Sequence, residues 1–254
     1  MKIIAITQAR VGSTRLPEKV LKKINRKSIL QIHLERIINS KLINKLIVAT
    51  TNENNSFKII EICNNLGVEY FCGDTNNVLD RFYNASLPYS PDYIVRLTSD
   101  CPLIDHELID EVIQNTVDGD FDYGSNTIKP SYPDGLDVEV FKFSALKIAW
   151  QKASLISEKE HVTPYIWKNS LHHGGNIFSS FSLTNNKDYS KLRLTVDEIK
   201  DFILIEKLIL KCGDDKGWNE YVKILKNNPE LVEINSSIMR NEGYQKSIND
   251  EADI

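Results

Sequence analysis

Strand-like and helix-like segments alternate from the first residues of this chain, and that order restricts the fold more than any single motif. The apolar run Lys2-Ile3-Ile4-Ala5-Ile6 leads into a polar loop, after which Ile29, Leu30, Ile32, His33, Leu34, Ile37 and Ile38 recur at helical spacing. Lys45-Leu46-Ile47-Val48-Ala49-Thr50 then reads as a short buried strand. The pattern repeats with a helix over 57–66, a strand over 68–71, a helix over 79–85 and a strand over 93–97. Such alternation calls for a mainly parallel sheet covered on both faces, with ligands in the crevice beyond the carboxyl ends of its strands. At 254 residues the chain has the length for one large α/β domain, read here as 1–254.

The first of those carboxyl ends carries Gln8-Ala9-Arg10-Val11-Gly12-Ser13-Thr14-Arg15-Leu16-Pro17-Glu18-Lys19. Gly12, Ser13 and Thr14 let the backbone come close and offer N–H and hydroxyl donors. Arg10, Arg15 and Lys19 supply charge, so the loop suits an anion such as a nucleoside triphosphate. An ordinary surface turn with solvated cations is the plainer alternative. Neither G-x-x-x-x-G-K-[ST] nor G-x-G-x-x-G occurs, which disfavours a P-loop kinase and a dinucleotide fingerprint.

A formal net charge of −4 gives no general attraction to nucleic acid or an anionic membrane, so the cations are a local feature and the partner is a small anion. A hydrophobic share of 41% with mean hydropathy −0.30 fits a soluble globular chain. No signal peptide or membrane-length apolar run is read, and Cys63, Cys72, Cys101 and Cys212 are too scattered for a zinc cluster. The expectation is reduced thiols in a cytoplasm.

A further helix over 107–116 is expected to start at Asp105 as its cap. The pattern then changes. A β-rich insertion is expected around 122–143 and 172–196, including runs at 178–184 and 192–196, as an antiparallel excursion serving as a lid or a dimer contact. A helical segment follows over 198–247, with a first helix ended by Gly213, and the end is expected to fray over 249–254.

Asp100 follows the strand at 93–97 and precedes Pro102, where a carboxylate can either ligate Mg²⁺ or close its own turn. Asp197 ends the run at 192–196, either as a second metal ligand or as the cap of the next helix. His161 reads as a structural or substrate-contacting residue rather than a general base. His172-His173 lacks a third ligand for zinc, and no serine-elbow or cysteine–histidine constellation stands out.

The loop pattern Ala9-Arg10-x-Gly12-Ser13-x-Arg15-Leu16-Pro17-x-Lys19 resembles the signature of the cytidylyltransferases that activate sugar acids, the CMP-Kdo and CMP-acylneuraminate synthetase family. The likeness is strongest to its spore-coat-polysaccharide branch, through the segments 96–105, 132–139, 160–165, 192–197 and Asn241-Glu242-Gly243-Tyr244. The resemblance implies a three-layer, Rossmann-like α/β nucleotidyltransferase domain, usually a homodimer, that binds CTP and Mg²⁺ and transfers CMP to an acceptor with release of pyrophosphate.

By that pattern Ala9, Arg10, Gly12, Ser13, Arg15 and Lys19 hold the triphosphate, with Arg10, Arg15 and Lys19 in the catalytic role. Thr50, Thr51, Asp80, Arg81 and Thr98 complete the nucleotide site, and Asp100 and Asp197 hold the metal. Tyr132, Asp137, Glu139, Glu160, His161 and Tyr165 shape the pocket for a small anionic acceptor, with a sugar acid leading and polyol phosphates, amino-acid phosphates and phosphonates open. A nucleotide-sugar-dependent glycosyltransferase and a non-catalytic nucleotide-binding protein are the rival readings. The sequence departs from the family pattern at Glu18, Ser99 and Lys159, and at Glu198-Ile199-Lys200-Asp201.

Overall fold

The computed structural model describes residues 1–13 and 15–252. Thr14, a donor in the sequence reading, lies outside the described residues, as do 253 and 254. The first half alternates as expected: β1 (Ile3–Gln8), a short hairpin of β2 (Lys23–Ile24) and β3 (Lys27–Ser28), α1 (Ile29–Ile37), β4 (Lys45–Thr51), α2 (Phe57–Leu66), β5 (Glu69–Gly73), α3 (Val78–Ser86), β6 (Tyr93–Thr98) and α4 (His106–Asp118). Asp105 caps α4, its carboxylate accepting from the N–H groups of Glu107 and Leu108. The second half holds β7 (Tyr123–Ser125), β8 (Glu139–Lys142), α5 (Phe143–Lys152), α6 (Ile156–His161), α7 (Pro164–Lys168), β9 (Ser180–Ser182), α8 (Ile199–Cys212), α9 (Trp218–Asn227), α10 (Pro229–Glu233) and α11 (Glu242–Ala252).

Seven strands form one sheet in the order β5-β4-β1-β6-β8-β7-β9. β1, β4, β5 and β6 pair in parallel, β8 runs antiparallel to both β6 and β7, and β9 is parallel to β7. The expected antiparallel excursion is therefore a continuation of the main sheet, with β8 the reversed strand, and is not laid over it as a lid. The run at 192–196 is not a ladder strand. It makes one bridge, Arg193 to Asp134, and is held by isolated backbone hydrogen bonds. The run at 178–184 shortens to β9.

Alternation along β1 splits the core. Ile4 and Ile6 join Ile47, Ile94, Leu79 and Phe82 under α3, whereas Ile3 and Ala5 join Val95, Leu97, Leu108 and Val112 under α4. Each fully buried branched side chain contributes about 1.5–3 kcal/mol, so this period-two pattern fixes the register. Leu204, Leu208 and Tyr221 of α8 and α9 pack with Ile29, Ile32 and Leu16 behind the polar loop. Residues 249–252, expected within a fraying end, belong to α11, which runs to Ala252 and lies against α6. Among the described residues no helix is long and apolar enough to cross a membrane.

Candidate active site

Register brings the decisive loops to one edge of the sheet. Gln8 pairs with Thr98 and Ala49, so the loops leaving β1 and β6 emerge side by side. Because β8 is reversed, it starts at that same edge, with Glu139 beside Arg96.

The polar loop is pinned at Ala9, whose N–H donates to the Ala49 carbonyl at 3.2 Å, and by the buried side chains of Val11 and Leu16. Among the described residues, no atom lies within 4 Å of where a Cβ on Gly12 would stand. Glu18 turns the chain in the left-handed region, at φ 53°. That conformation suits glycine and costs other residues about 1–2 kcal/mol. Its carboxylate points away from the cleft to Lys58, at 2.6 Å. The turn aims Lys19 inward.

Lys19 Nζ lies 2.7 Å from Asp100 Oδ2 and 2.8 Å from Asp197 Oδ1, and Arg15 Nη2 is 3.1 Å from the same Asp197 oxygen. Two carboxylates separated by nearly a hundred positions in sequence thus meet at one point. Burial opposes ionisation at both ends of this cluster. Even so, the Lys19 ammonium holds Asp100 well below the usual carboxylate range, and the two carboxylates hold Lys19 above the usual ammonium range.

Asp197 reaches this point because the segment before it is clamped. Val196 N–H donates to the Asp100 carbonyl at 2.7 Å, and Leu194 N–H donates to the Asp134 carbonyl at 2.6 Å. Gly135, at φ 99°, lies so close that a Cβ would stand 2.5 Å from the Leu194 carbonyl carbon and the Thr195 nitrogen. Asp197 does not cap α8 with its side chain. Asp201, fully buried, accepts from the N–H groups of Asp197 and Glu198, each at 3.0 Å.

Two pockets meet here, and Gln8, Arg15, Thr98, Asp100, Glu160, His161 and Asp197 are among the residues that line both. The larger, of about 1260 Å³, is lined by Ala9, Arg10, Gly12, Ser13, Lys19, Arg81, Ser99 and Lys159. Burial and the facing Arg10 lower the Arg81 guanidinium to about 10. The smaller, of about 510 Å³, contains Arg96, Asp134, Asp137, Glu139, Glu160, His161 and Arg193. In it Glu139 is ion-paired with Arg96 and accepts from the hydroxyls of Tyr123, at 2.7 Å, and Thr163, at 2.6 Å. Arg193 bridges Asp134 (2.6 Å), Asp201 (2.9 Å) and Asp197 (3.0 Å). Burial lowers His161 to about 4, helped by the Arg96 guanidinium, so its ring is neutral near pH 7. Burial raises Asp137 to about 7, against the pull of Arg240.

Five residues from the sequence reading lie away from both pockets. Thr50 and Thr51 are fully buried at the end of β4, where Thr51 bonds Glu53 and Ser56 within its own turn. Asp80 accepts from the Trp150 indole at 2.9 Å on the outer side of α3, and its neighbour Arg81 faces the cleft instead. Tyr132 packs edge-on against Trp218 under α4, and Tyr165 packs against Phe178. Arg96, Asp134, Arg193 and Tyr244 line the smaller pocket without having been assigned a role. The sequence placed Arg96 and Arg193 inside strand-like motifs, but only their ion partners reveal which way they face.

The sequence profile of the Cytidylyltransferase family matches residues 4–233 of the chain. An uncharacterised protein of Methanocaldococcus jannaschii is 44% identical, the match covering 97% of this chain and 99% of that one. The spore coat polysaccharide biosynthesis protein SpsF of Bacillus subtilis is 32% identical over 91% of this chain and 96% of its own length. A solved cytidylyltransferase structure from Leptospira borgpetersenii superposes with a TM-score of 0.87 at 33% identity, covering 94% of this chain and 100% of that one. On this site, this fold and these relatives, the chain belongs to the cytidylyltransferase family and is a CTP-dependent nucleotidyltransferase.

Proposed function

We propose that the chain transfers CMP from CTP to a sugar acid, releasing pyrophosphate, for the synthesis of a surface polysaccharide or glycoconjugate. The observation that carries this reading is the pair of pockets meeting at Asp100, Asp197 and Arg15. The larger has the cations for a triphosphate. The smaller has the size for one sugar, a guanidinium at Arg96 for a carboxylate, and Glu139, Asp137 and Thr163 for hydroxyl groups. The spore-coat role in the name of the Bacillus relative agrees with a polysaccharide pathway.

In this reading an acceptor oxygen attacks the α-phosphorus as the bond to the β-phosphate breaks. Arg10, Arg15 and Lys19 hold the triphosphate and neutralise charge on the leaving pyrophosphate, so positioning and electrostatics supply the acceleration. Asp100 and Asp197 would hold Mg²⁺. Their oxygens converge on a point where a lysine ammonium now stands, and two hard carboxylates suit an ion that completes its shell with water and phosphate. When bound, the ion shields phosphate charge and polarises the phosphoryl group. The homodimer belongs to the same reading, and light scattering tests it.

The deciding experiment is a screen of sugar acids, polyol phosphates, amino-acid phosphates and phosphonates with CTP and Mg²⁺, read as pyrophosphate. Release with at least one sugar acid supports the proposal. Release only with a phosphate or phosphonate acceptor overturns the acceptor class.

A further inference from the structure

The last helix, α11, lies beyond the residues that match the family profile, which ends at 233, yet its residues line both pockets. Its first residue, Glu242, places Oε2 2.7 Å from Nη1 of Arg15, the guanidinium assigned above to the triphosphate. Farther along, Ser247 Oγ donates to Glu160 at 2.9 Å and lies 3.0 Å from His161 Nε2. Glu251 accepts from the Ser157 hydroxyl at 3.0 Å. Between these anchors Tyr244 stands edge-on to His161 and Trp167 in the wall of the smaller pocket, with ring centres 5.2 Å and 5.9 Å away.

The first turn of α11 is therefore tied to the nucleotide cleft by the cleft's own cation and also walls the acceptor pocket through Tyr244 and Gln245, while Lys246, Ser247 and Asn249 continue along the nucleotide side. The seat is incompletely satisfied, because the buried Tyr244 hydroxyl has no hydrogen-bond partner among the described residues. Such a group costs stability in the docked position. The ion pair is also weak by its setting, with side-chain exposure of 36% for Arg15 and 48% for Glu242.

A triphosphate and the Glu242 carboxylate are like-charged rivals for one guanidinium. We propose that α11 is a strap held over the site by Glu242 while the nucleotide is absent, and that CTP displaces this carboxylate and moves the helix that walls the acceptor pocket. The proposal rests on the assignment of Arg15 to the triphosphate. Nucleotide loading then reshapes the acceptor pocket through Tyr244 and Gln245 before the acceptor arrives, which favours CTP binding first.

The test uses the full chain with CTP and Mg²⁺ and no acceptor, so it does not depend on the acceptor's identity. Calorimetry compares the parent with Glu242→Gln and Arg15→Gln, and hydrogen exchange follows the amides of 242–252. Glu242→Gln is expected to bind CTP roughly two- to fivefold more tightly, the range of a partly exposed ion pair. CTP is expected to speed exchange in α11 of the parent, and the amides of Glu242→Gln exchange fast already without nucleotide. Unchanged or weaker binding by Glu242→Gln overturns the strap, and so does tighter binding with no change in α11 exchange, since that is through-space charge alone. Arg15→Gln is expected to weaken CTP binding roughly tenfold or more. Binding by Arg15→Gln at the parent's affinity removes the phosphate assignment and the strap with it.

Discussion

The two pockets use the same ingredients, guanidinium and carboxylate groups, in opposite ways. In the larger pocket the loop cation Arg10 is exposed, Arg15 is 36% exposed, and Lys19 is half-buried at the mouth between its carboxylates. These cations come from one loop and are placed to exchange partners with a ligand. In the smaller pocket Arg193 is 7% exposed and locked to three carboxylates, one of them, Asp201, fully buried. A surface ion pair contributes about 0–1 kcal/mol, whereas breaking a buried one exposes the full cost of an unpaired interior charge. Exposed charges are therefore free to serve binding, and buried ones hold the frame on which Asp197 stands.

The largest expected effect tests that frame. Arg193→Met leaves the buried Asp201 without a counter-ion and Asp134 with Arg240 alone, 3.9 Å away, and lowers the unfolding free energy by about 3–5 kcal/mol in urea denaturation. A loss below about 1 kcal/mol would put Arg193 with the exchangeable cations and dissolve the contrast.

Next comes Asp100→Asn, at the meeting point. It keeps the shape, and Lys19 retains Asp197, so the thermal midpoint stays close to that of the parent. Metal-dependent pyrophosphate release falls by about 10²–10³, the scale for removing a preorganised electrostatic contact. Near-normal turnover would sink the metal assignment.

A smaller effect is in pH. His33 is fully buried beneath the cleft, between the Thr7 hydroxyl and the Cys101 carbonyl, and burial lowers it to about 4. The unfolded chain takes up this proton below about pH 6.5 and the folded chain does not, so stability falls as pH drops from 6.5 towards 4. The contribution is roughly 2–3 kcal/mol, read as the difference between the parent and His33→Gln in how far the urea midpoint falls, because His161 adds a fall of the same sign and Asp137 one of opposite sign; identical pH profiles for the two proteins contradict it.

The smallest effect is at Glu18. Glu18→Gly relieves the left-handed backbone but frees the unfolded chain and removes the exposed pair with Lys58, so the terms nearly cancel. Stability changes by less than about 1 kcal/mol and CTP turnover persists. A marked gain or loss of turnover would show that Glu18 faces the nucleotide after all.

How much could be read beforehand follows the same division. The helix over 57–66, the cap at Asp105 and the helix stop at Gly213 rest on neighbours within a few residues, and each stands where the pattern placed it. Thr50 and Thr51 lie outside both pockets because a strand end tells which residues are near an edge, not which way their side chains turn. The run at 192–196 alternates like a strand, yet among the described residues it makes a single bridge, Arg193 to Asp134, because its partner is a loop rather than a strand of the sheet. Tyr132 lies outside the pockets for a related reason: its aromatic ring packs against Trp218 in the core rather than standing in solvent.

By itself the sequence determined the alternation, the parallel half of the sheet, the cationic loop and the two candidate carboxylates, since these depend on periodicity and local chemistry. Only the tertiary structure decided that β8 reverses inside the main sheet, that Asp100 and Asp197 meet on Lys19, and that α11 returns across both pockets to Arg15. Those depend on contacts between residues as many as 227 positions apart, such as Arg15 with Glu242, whose worth is set by burial and partner geometry that no local pattern encodes.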